Sequence, residues 1–242
     1  MKTTALITGA SRGIGRATAI KLAGHFDHII INSCHNSQAL LDVKKEIEKN
    51  GAECMAYTGD IGDYNFVKNM ISEIIEKYKK IDLLVNNAGI SYVGLLTDMT
   101  IEDWNNVIRT NLTSVFNCCS LTVPHMVKEK SGQIINISSM WGLSGASCEV
   151  AYSASKGGVN TFTQALAKEL APSNISVNAI ACGTVNTEMN ACFSEEELES
   201  LCNDIPIGRM ASPDEIADMI YLLYNSPSYL TGEIIKIDGG YL

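Results

Sequence analysis

The segment Thr8-Gly9-Ala10-Ser11-Arg12-Gly13-Ile14-Gly15 sets three glycines between a short β-branched run and an amphipathic one. Glycine permits a tight turn and lets backbone N–H groups approach an anion closely. A helix starting here points its positive dipole end at the same place. Such a turn is also what an ordinary strand-to-helix connection uses. Its position in the first βα unit of an alternating chain favours a site for a dinucleotide pyrophosphate.

The alternation continues outward from this turn. Strands are expected at 3–8, 28–32, 53–58, 81–86, 132–138, 175–180 and 233–238. Helical patterns at 13–24, 37–49 and 63–79 lie between them. This order implies an α/β fold, a Rossmann-like doubly wound parallel seven-stranded sheet with helices on both faces. Apolar runs such as Leu83-Leu84-Val85 suit strands covered on both sides. No linker, low-complexity tract or repeat interrupts residues 1–242, which read as one domain. Only the segment after residue 187 breaks the rhythm. There Ser194 precedes Glu195, Glu196 and Glu197, the pattern of an N-capped short helix. A long excursion at this point, about 188–208, is where a substrate lid is expected.

Composition narrows the classes. The chain has 242 residues, 46% of them hydrophobic and 19% charged, which supports one compact core and argues against disorder. With 27 acidic against 18 basic residues, the net charge of −9 disfavours general nucleic-acid binding. The eight cysteines are Cys34, Cys54, Cys118, Cys119, Cys148, Cys182, Cys192 and Cys202. They form no CxxC pair, and His25, His28, His35 and His125 lack ligand spacing, so no metal site is expected. Free thiols in a reducing cytoplasm are the natural reading. Apolar runs are strand-sized and the N-terminus lacks a signal-type segment, so no membrane partner is expected either.

The G-x-x-x-G-x-G spacing is joined by Asp60-Ile61, Asn86-Asn87-Ala88-Gly89 and Ile237-Asp238-Gly239-Gly240. In this order the motifs resemble the short-chain dehydrogenase/reductase family over essentially the whole chain. The resemblance implies a nicotinamide dinucleotide held at Gly9, Ser11, Arg12, Gly13, Ile14 and Gly15. It further implies adenine contacts at Asp60 and Ile61, and cofactor contacts at Asn87, Ala88 and Gly89. The second strand ends Asn32-Ser33-Cys34, without the carboxylate that selects NAD. Arg12 offers a guanidinium suited to a 2′-phosphate, so NADP(H) is the expected cofactor; a solvated surface arginine is the other reading.

Tyr152 and Lys156 form Y-x-x-x-K, which shares one face if it opens a helix. A nearby ammonium, helped by a positive nicotinamide in the oxidised state of a dinucleotide, favours the phenolate and lowers the tyrosine pKa. Ser139 lies thirteen residues earlier, at the end of an expected strand, and Asn111 follows Thr110. The resemblance implies a catalytic tetrad of Asn111, Ser139, Tyr152 and Lys156. Ser139 would orient a carbonyl, Tyr152 would protonate it, Lys156 would hold the ribose and tune Tyr152, and Asn111 would position a proton-supplying water. Cys182-Gly183-Thr184-Val185-Asn186-Thr187 resembles the family's P-G-x-x-x-T, with Val185 and Thr187 at the carboxamide and cysteine replacing proline.

Over the whole chain, Gly208–Ala217 and Tyr229–Gly240 are similar to 3-oxoacyl-acyl-carrier-protein reductases. That implies an NADPH-dependent reductase, of the fatty-acid biosynthesis kind, acting on a ketone carried on an acidic protein. Against a net charge of −9, such a partner needs a local basic patch, for which Lys128 and Lys130 are the candidates. The 141–150 loop, Trp141-Gly142 through Cys148-Glu149-Val150, is similar to reductases of a 5-aminopentanone group on elongation factor P. On that reading Glu149 pairs with an ammonium and Trp141 packs over the substrate; the bland alternative for Glu149 is a solvated acid at a helix N-terminus. A hydroxysteroid or small-sugar dehydrogenase and a non-catalytic NADP-binding regulator stay open. The resemblance also implies a homotetramer built on helices around 105–129 and 152–170. Val115, Phe116, Val159 and Phe162 would serve those faces or the core.

Overall fold

A computed structural model of the chain describes residues 2–191 and 193–242. Seven strands form one sheet in the order β3-β2-β1-β4-β5-β6-β7, every pair parallel. They are β1 (Thr4–Ile7), β2 (His28–Ser33), β3 (Glu53–Thr58), β4 (Leu83–Asn86), β5 (Gly132–Ser139), β6 (Ile175–Cys182) and β7 (Ile234–Ile237). The chain builds outward from β1 to β3, then crosses to the other side of β1 for β4. The crevice outside the carboxyl ends of β1 and β4 is therefore the switch point where α/β sheets receive ligands.

Alternation along each strand feeds two cores. Ala5, Ile7, Ile29, Ile31 and Val85 face one side with Leu22, Leu40 and Ile216. Leu6, Ile30, Leu84 and Val177 face the other with Val67, Met70 and Val159. The first layer is covered by α1 (Gly13–Ala23), α2 (Ser37–Lys49) and α9 (Pro213–Tyr224). The second is covered by α3 (Tyr64–Tyr78), α5 (Ser114–Glu129) and α7 (Val150–Leu170). Smaller helices are α4 (Ile101–Ile108), α6 (Trp141–Ser144) and α8 (Glu195–Asp204). Ser194 caps α8 through its hydroxyl and Glu197 returns the bond, as its sequence promises.

The helix expected around 105–129 is interrupted. Arg109–Thr113 forms a π turn between α4 and α5, closed by the Ser114 N–H donating to the Arg109 carbonyl. Such turns displace a side chain from helical register and recur at functional sites. Of the apolar residues assigned to assembly or core, Val115 and Val159 are core, Phe162 packs against it, and Phe116 is exposed. The seven described cysteines are free thiols, and Cys192 lies outside the described residues. Among the described residues no helix is long and apolar enough to cross a membrane.

A buried polar ladder ties β4, β5 and α7 together. Asn86 Nδ2 donates to Asn136 Oδ1 at 2.9 Å, and Asn136 Nδ2 donates to Thr163 Oγ1 at 2.8 Å. Asn136→Ala is expected to strand these groups and destabilise the chain by about 1–3 kcal/mol. Urea unfolding should show a lower midpoint with an unchanged slope.

Candidate active site

The glycine turn packs directly on the segment after β4. Gly9 and Gly13 have φ of +65° and +55°, where other residues are strained. A Cβ on Gly9 would stand 2.7 Å from Ala88 Cα, and one on Gly15 would stand 2.4 Å from the Gly9 carbonyl oxygen. Asn87 Nδ2 donates to the carbonyls of Thr8 and Gly9 at 2.9 and 3.1 Å. The Thr8 hydroxyl accepts from the Asn87 and Ala88 amides at 3.0 and 3.1 Å. Asn87 thus braces the turn with its side chain, and Thr8 is a partner that sequence reasoning missed.

α1 begins here with no side-chain cap and no acidic residue in its first turn. Its first N–H groups and dipole accordingly suit an anion, and the residues fit a dinucleotide pyrophosphate. Ser11 accepts a hydrogen bond from the Ser33 hydroxyl at the end of β2, at 3.1 Å. Arg12 is an exposed cation, not merely solvated: it ion-pairs with Glu188, the first residue of the short turn Glu188–Asn190. Thr187 lies beside Gly13, 3.2 Å from where a Cβ would be. Val185 is buried, and its carbonyl accepts from Asn190 Nδ2 at 2.8 Å. Asp60 takes the Gly62 amide on one oxygen and Arg109 on the other. Ile61 is a core residue whose carbonyl accepts from Asn117 in a buried contact.

The four residues of the expected tetrad converge at the ends of β4 and β5. Ser139 ends β5, and its Oγ accepts from the Trp141 amide at 3.2 Å. Tyr152 lies in the first turn of α7, hydrogen-bonded to Ser139. Lys156, one turn on, is 4% exposed, and its Nζ donates to the Ile137 carbonyl at 2.7 Å. The ammonium lies 5.7 Å from the Tyr152 ring centre. Asn111 stands in the π turn. Its Oδ1 accepts from the Ile90 amide at 2.8 Å, and its Nδ2 donates to the Ile90 carbonyl at 2.9 Å and to Ser155 Oγ at 3.0 Å. A Cβ on Gly89 would lie 3.3 Å from Asn111 Oδ1 and 3.5 Å from Lys156 Nζ, so Gly89 joins the cofactor motif to the tetrad.

Burial dominates the electrostatics. It lowers the Lys156 pKa to about 8, with Cys182 opposing the shift. It pushes the Tyr152 phenol well up; the Ser139 hydrogen bond opposes this, and Cys182 and Glu149 add to it. In the chain without cofactor, burial therefore outweighs the nearby ammonium at Tyr152. Cys182, in the place of the family's proline, is buried beside both groups and its thiol is raised to about 12.

Glu149 is half-buried. Its carboxylate accepts from Ser91 Oγ at 2.8 Å, caps no helix, and is raised in pKa by burial. It stands at the N-cap position of α7, where the bland reading puts it, but without a capping hydrogen bond and only partly solvated. Trp141 meets Tyr241 edge to face at 5.6 Å, a partner from the far end of the chain. Lys128 and Lys130 are exposed but precede Gly132, the start of β5. Ser139 is seven residues further along that strand, roughly 23 Å at about 3.3 Å per residue. Within one chain these lysines stand at the opposite edge of the sheet from the tetrad.

A family model described as short chain dehydrogenase matches residues 3–198. The chain belongs to the short-chain dehydrogenase family. A 3-oxoacyl-[acyl-carrier-protein] reductase of Synechocystis sp. is 42% identical over 98% of this chain and 95% of its own. One from Thermotoga maritima is 40% identical over 97% and 96%, and one from Staphylococcus aureus 38% identical over 99% and 98%. Among solved structures, a variant actinorhodin polyketide ketoreductase with NADPH superposes with a TM-score of 0.94 at 32% identity, covering 99% of this chain and 97% of that one.

The Lys156 shift has a sign that stability can read. Its folded pKa lies near 8 against 10.5 for an unburied lysine, so between these values the unfolded chain holds the extra proton. The Lys156 contribution to stability is therefore lowest below pH 8 and rises with pH from about 8 to 10. The raised Tyr152 turns its own contribution downward only above the ordinary tyrosine pKa of about 10. Urea midpoints measured from pH 7 to 10 should rise less in Lys156→Met than in the parent chain.

Proposed function

We propose that the chain reduces a 3-oxoacyl thioester borne on a carrier protein, with NADPH as hydride donor. The observation that carries this reading is the convergence of Ser139 at the end of β5, Tyr152 in the first turn of α7 and the buried Lys156 ammonium 5.7 Å from the Tyr152 ring, with Asn111 beside them. Ketone reduction needs an acid at the carbonyl oxygen, and a tyrosine phenol is in its acid form at neutral pH. When bound, NADPH supplies the hydride to the carbonyl carbon. Ser139 holds the carbonyl oxygen and Tyr152 gives it the proton. Lys156 holds the nicotinamide ribose and favours the resulting phenolate. Asn111 holds the Ile90 backbone and positions a water that restores the proton.

The chain's own groups fit the cofactor. Gly9, Ser11, Gly13, Ile14 and Gly15 cradle the pyrophosphate, and Asp60 and the Ile61 backbone meet the adenine. Ala88 and Gly89 line the crevice, with Asn87 supporting it. Val185 and Thr187 take the carboxamide. Arg12 with Ser11 and Ser33 takes a 2′-phosphate, which the carboxylate-free end of β2 leaves room for electrostatically. NADPH accompanies the actinorhodin ketoreductase, and the carrier-borne substrate is in the names of the bacterial relatives. The 188–208 segment acts as lid, its start tied to the turn through Arg12 and Glu188. As in the resemblance, a homotetramer is the proposed assembly and the cytoplasm its place.

Glu149 favours a second reading. Among the described residues no cation pairs with this half-buried carboxylate near Tyr152. A ketone bearing an ammonium, such as the 5-aminopentanone group on elongation factor P, supplies one.

The test is NADPH oxidation by the purified chain with an acetoacetyl thioester and, separately, with aminopentanone-modified elongation factor P. Turnover of the thioester is expected, and Tyr152→Phe should lower kcat about 10²–10⁴-fold. Full activity in that variant refutes the proton assignment; preference for the modified protein selects the second reading. If Glu149 receives an ammonium, Glu149→Gln raises KM for a cationic ketone about tenfold or more and leaves KM for a neutral one alone. An unchanged KM removes that role.

A further inference from the structure

Arg109 is used by none of the steps above, yet it meets Asp60 and stands in the same π turn as Asn111. Its side chain ion-pairs with Asp60 and donates from Nη2 to Asn106 Oδ1 at 3.0 Å. Its own carbonyl receives the Ser114 amide and so closes the π turn in which Asn111 stands. The loop it grips has been shaped to receive it. A Cβ on Gly62 would lie 2.8 Å from Arg109 Cγ and 3.3 Å from its carbonyl oxygen, so the arginine stem lies against bare backbone. On the far side of the π turn, Asn117 Nδ2 donates to the Ile61 carbonyl at 3.0 Å in a buried contact. The loop after β3 is therefore clamped to the π turn before and after Asn111. Asn111 in turn holds both backbone groups of Ile90 and the Ser155 hydroxyl, next to Lys156.

We propose that Arg109 is a positioning residue that couples the Asp60–Gly62 loop to Asn111, so that occupation of the loop and alignment of the tetrad reinforce one another. The cofactor half of this statement rests on the NADPH reading, in which Asp60 meets the adenine; the mechanical half does not. A guanidinium suits the task because two of its nitrogens are used at once, one on Asp60 and one on Asn106. Linkage makes the effect reciprocal: what steadies Asp60 steadies Asn111, and the reverse.

Two measurements on the full chain test this with Arg109→Gln, Arg109→Lys, Asp60→Asn and the double variant Arg109→Gln/Asp60→Asn. The first is hydrogen exchange by mass spectrometry of the peptide carrying Ile90, whose amide is bonded to Asn111. The second is NADPH affinity by fluorescence titration. Both glutamine and asparagine variants should speed exchange at Ile90 about fivefold or more while peptides from β1 and β5 keep parental exchange. NADPH Kd should rise about fivefold in each, no further in the double variant, and by about twofold or less in Arg109→Lys. Parental exchange at Ile90 in the glutamine variant, or additive losses in the double variant, overturns the coupling. Faster exchange spread equally over β1 and β5 marks general destabilisation and also overturns it. Failure of the parent chain to bind NADPH overturns the functional reading instead, and the exchange result still judges the mechanical link.

Discussion

The ammonium of Lys156 sits almost wholly out of water, and the surrounding structure answers to that burial. A buried charge is costly unless hydrogen-bonded, and here one carbonyl, that of Ile137, takes it at 2.7 Å. The residual cost appears as the depressed pKa. It also requires that α7 be held rigidly against β5, since a small displacement would break the one direct bond. Ser138 supplies that hold by donating to Asn160 Oδ1 at 2.6 Å, and Asn160 donates onward to the Gly142 carbonyl at 3.0 Å. Gly142 must lack a side chain, because a Cβ would stand 2.7 Å from the Lys156 carbonyl carbon. The short helix carrying Trp141 is thereby locked onto α7 at the height of the lysine.

The same lysine explains why binding and chemistry share their braces. The segment after β4 is only a few residues long, yet Ala88 abuts Gly9 at one end while Gly89 abuts Lys156 and Asn111 at the other. The glycine turn and the side-chain ends of Asn111 and Lys156 are therefore joined by direct packing through this short segment. Close-packed contacts of this kind pass strain on because they have two or few arrangements, not a continuum. The Thr8 hydroxyl and Asn87 amide add directional bonds to that contact.

The acidic groups of the chain divide by environment. Glu215, on the surface, is held down to about 2, chiefly by the Arg209 side chain. Glu149 goes the other way: burial raises it, and a single neutral hydroxyl opposes the rise. The contrast separates a structural carboxylate from one left without a counter-charge beside a reacting group. Its negative charge also helps keep the neighbouring phenol protonated.

What could be read from the sequence follows from the range of the interactions involved. Strands such as β2 and β4 were legible because buried parallel strands need continuous apolar residues, and α8 because its cap is local. The glycine turn and the Tyr152–Lys156 pair were legible for the same reason: each is a contiguous motif. Val115 could not be sorted from Phe116, since which face of α5 meets the sheet depends on where the π turn resets its register. That turn has no local signature in Arg109-Thr110-Asn111-Leu112-Thr113; it exists because Asn111 finds Ile90 and Ser155, respectively 21 and 44 residues away. The burial of Tyr152 was not legible on similar grounds. Helical spacing places an ammonium near a phenol, but only the packed site shows that burial outweighs it. Arg109 and Ser91 escaped notice because neither belongs to a motif; each acquires its role from a partner 49 or 58 residues distant. Residues that hold a site together are chosen by the fold, whereas residues that perform its chemistry are fixed by type, and single-sequence reading reaches the second kind first.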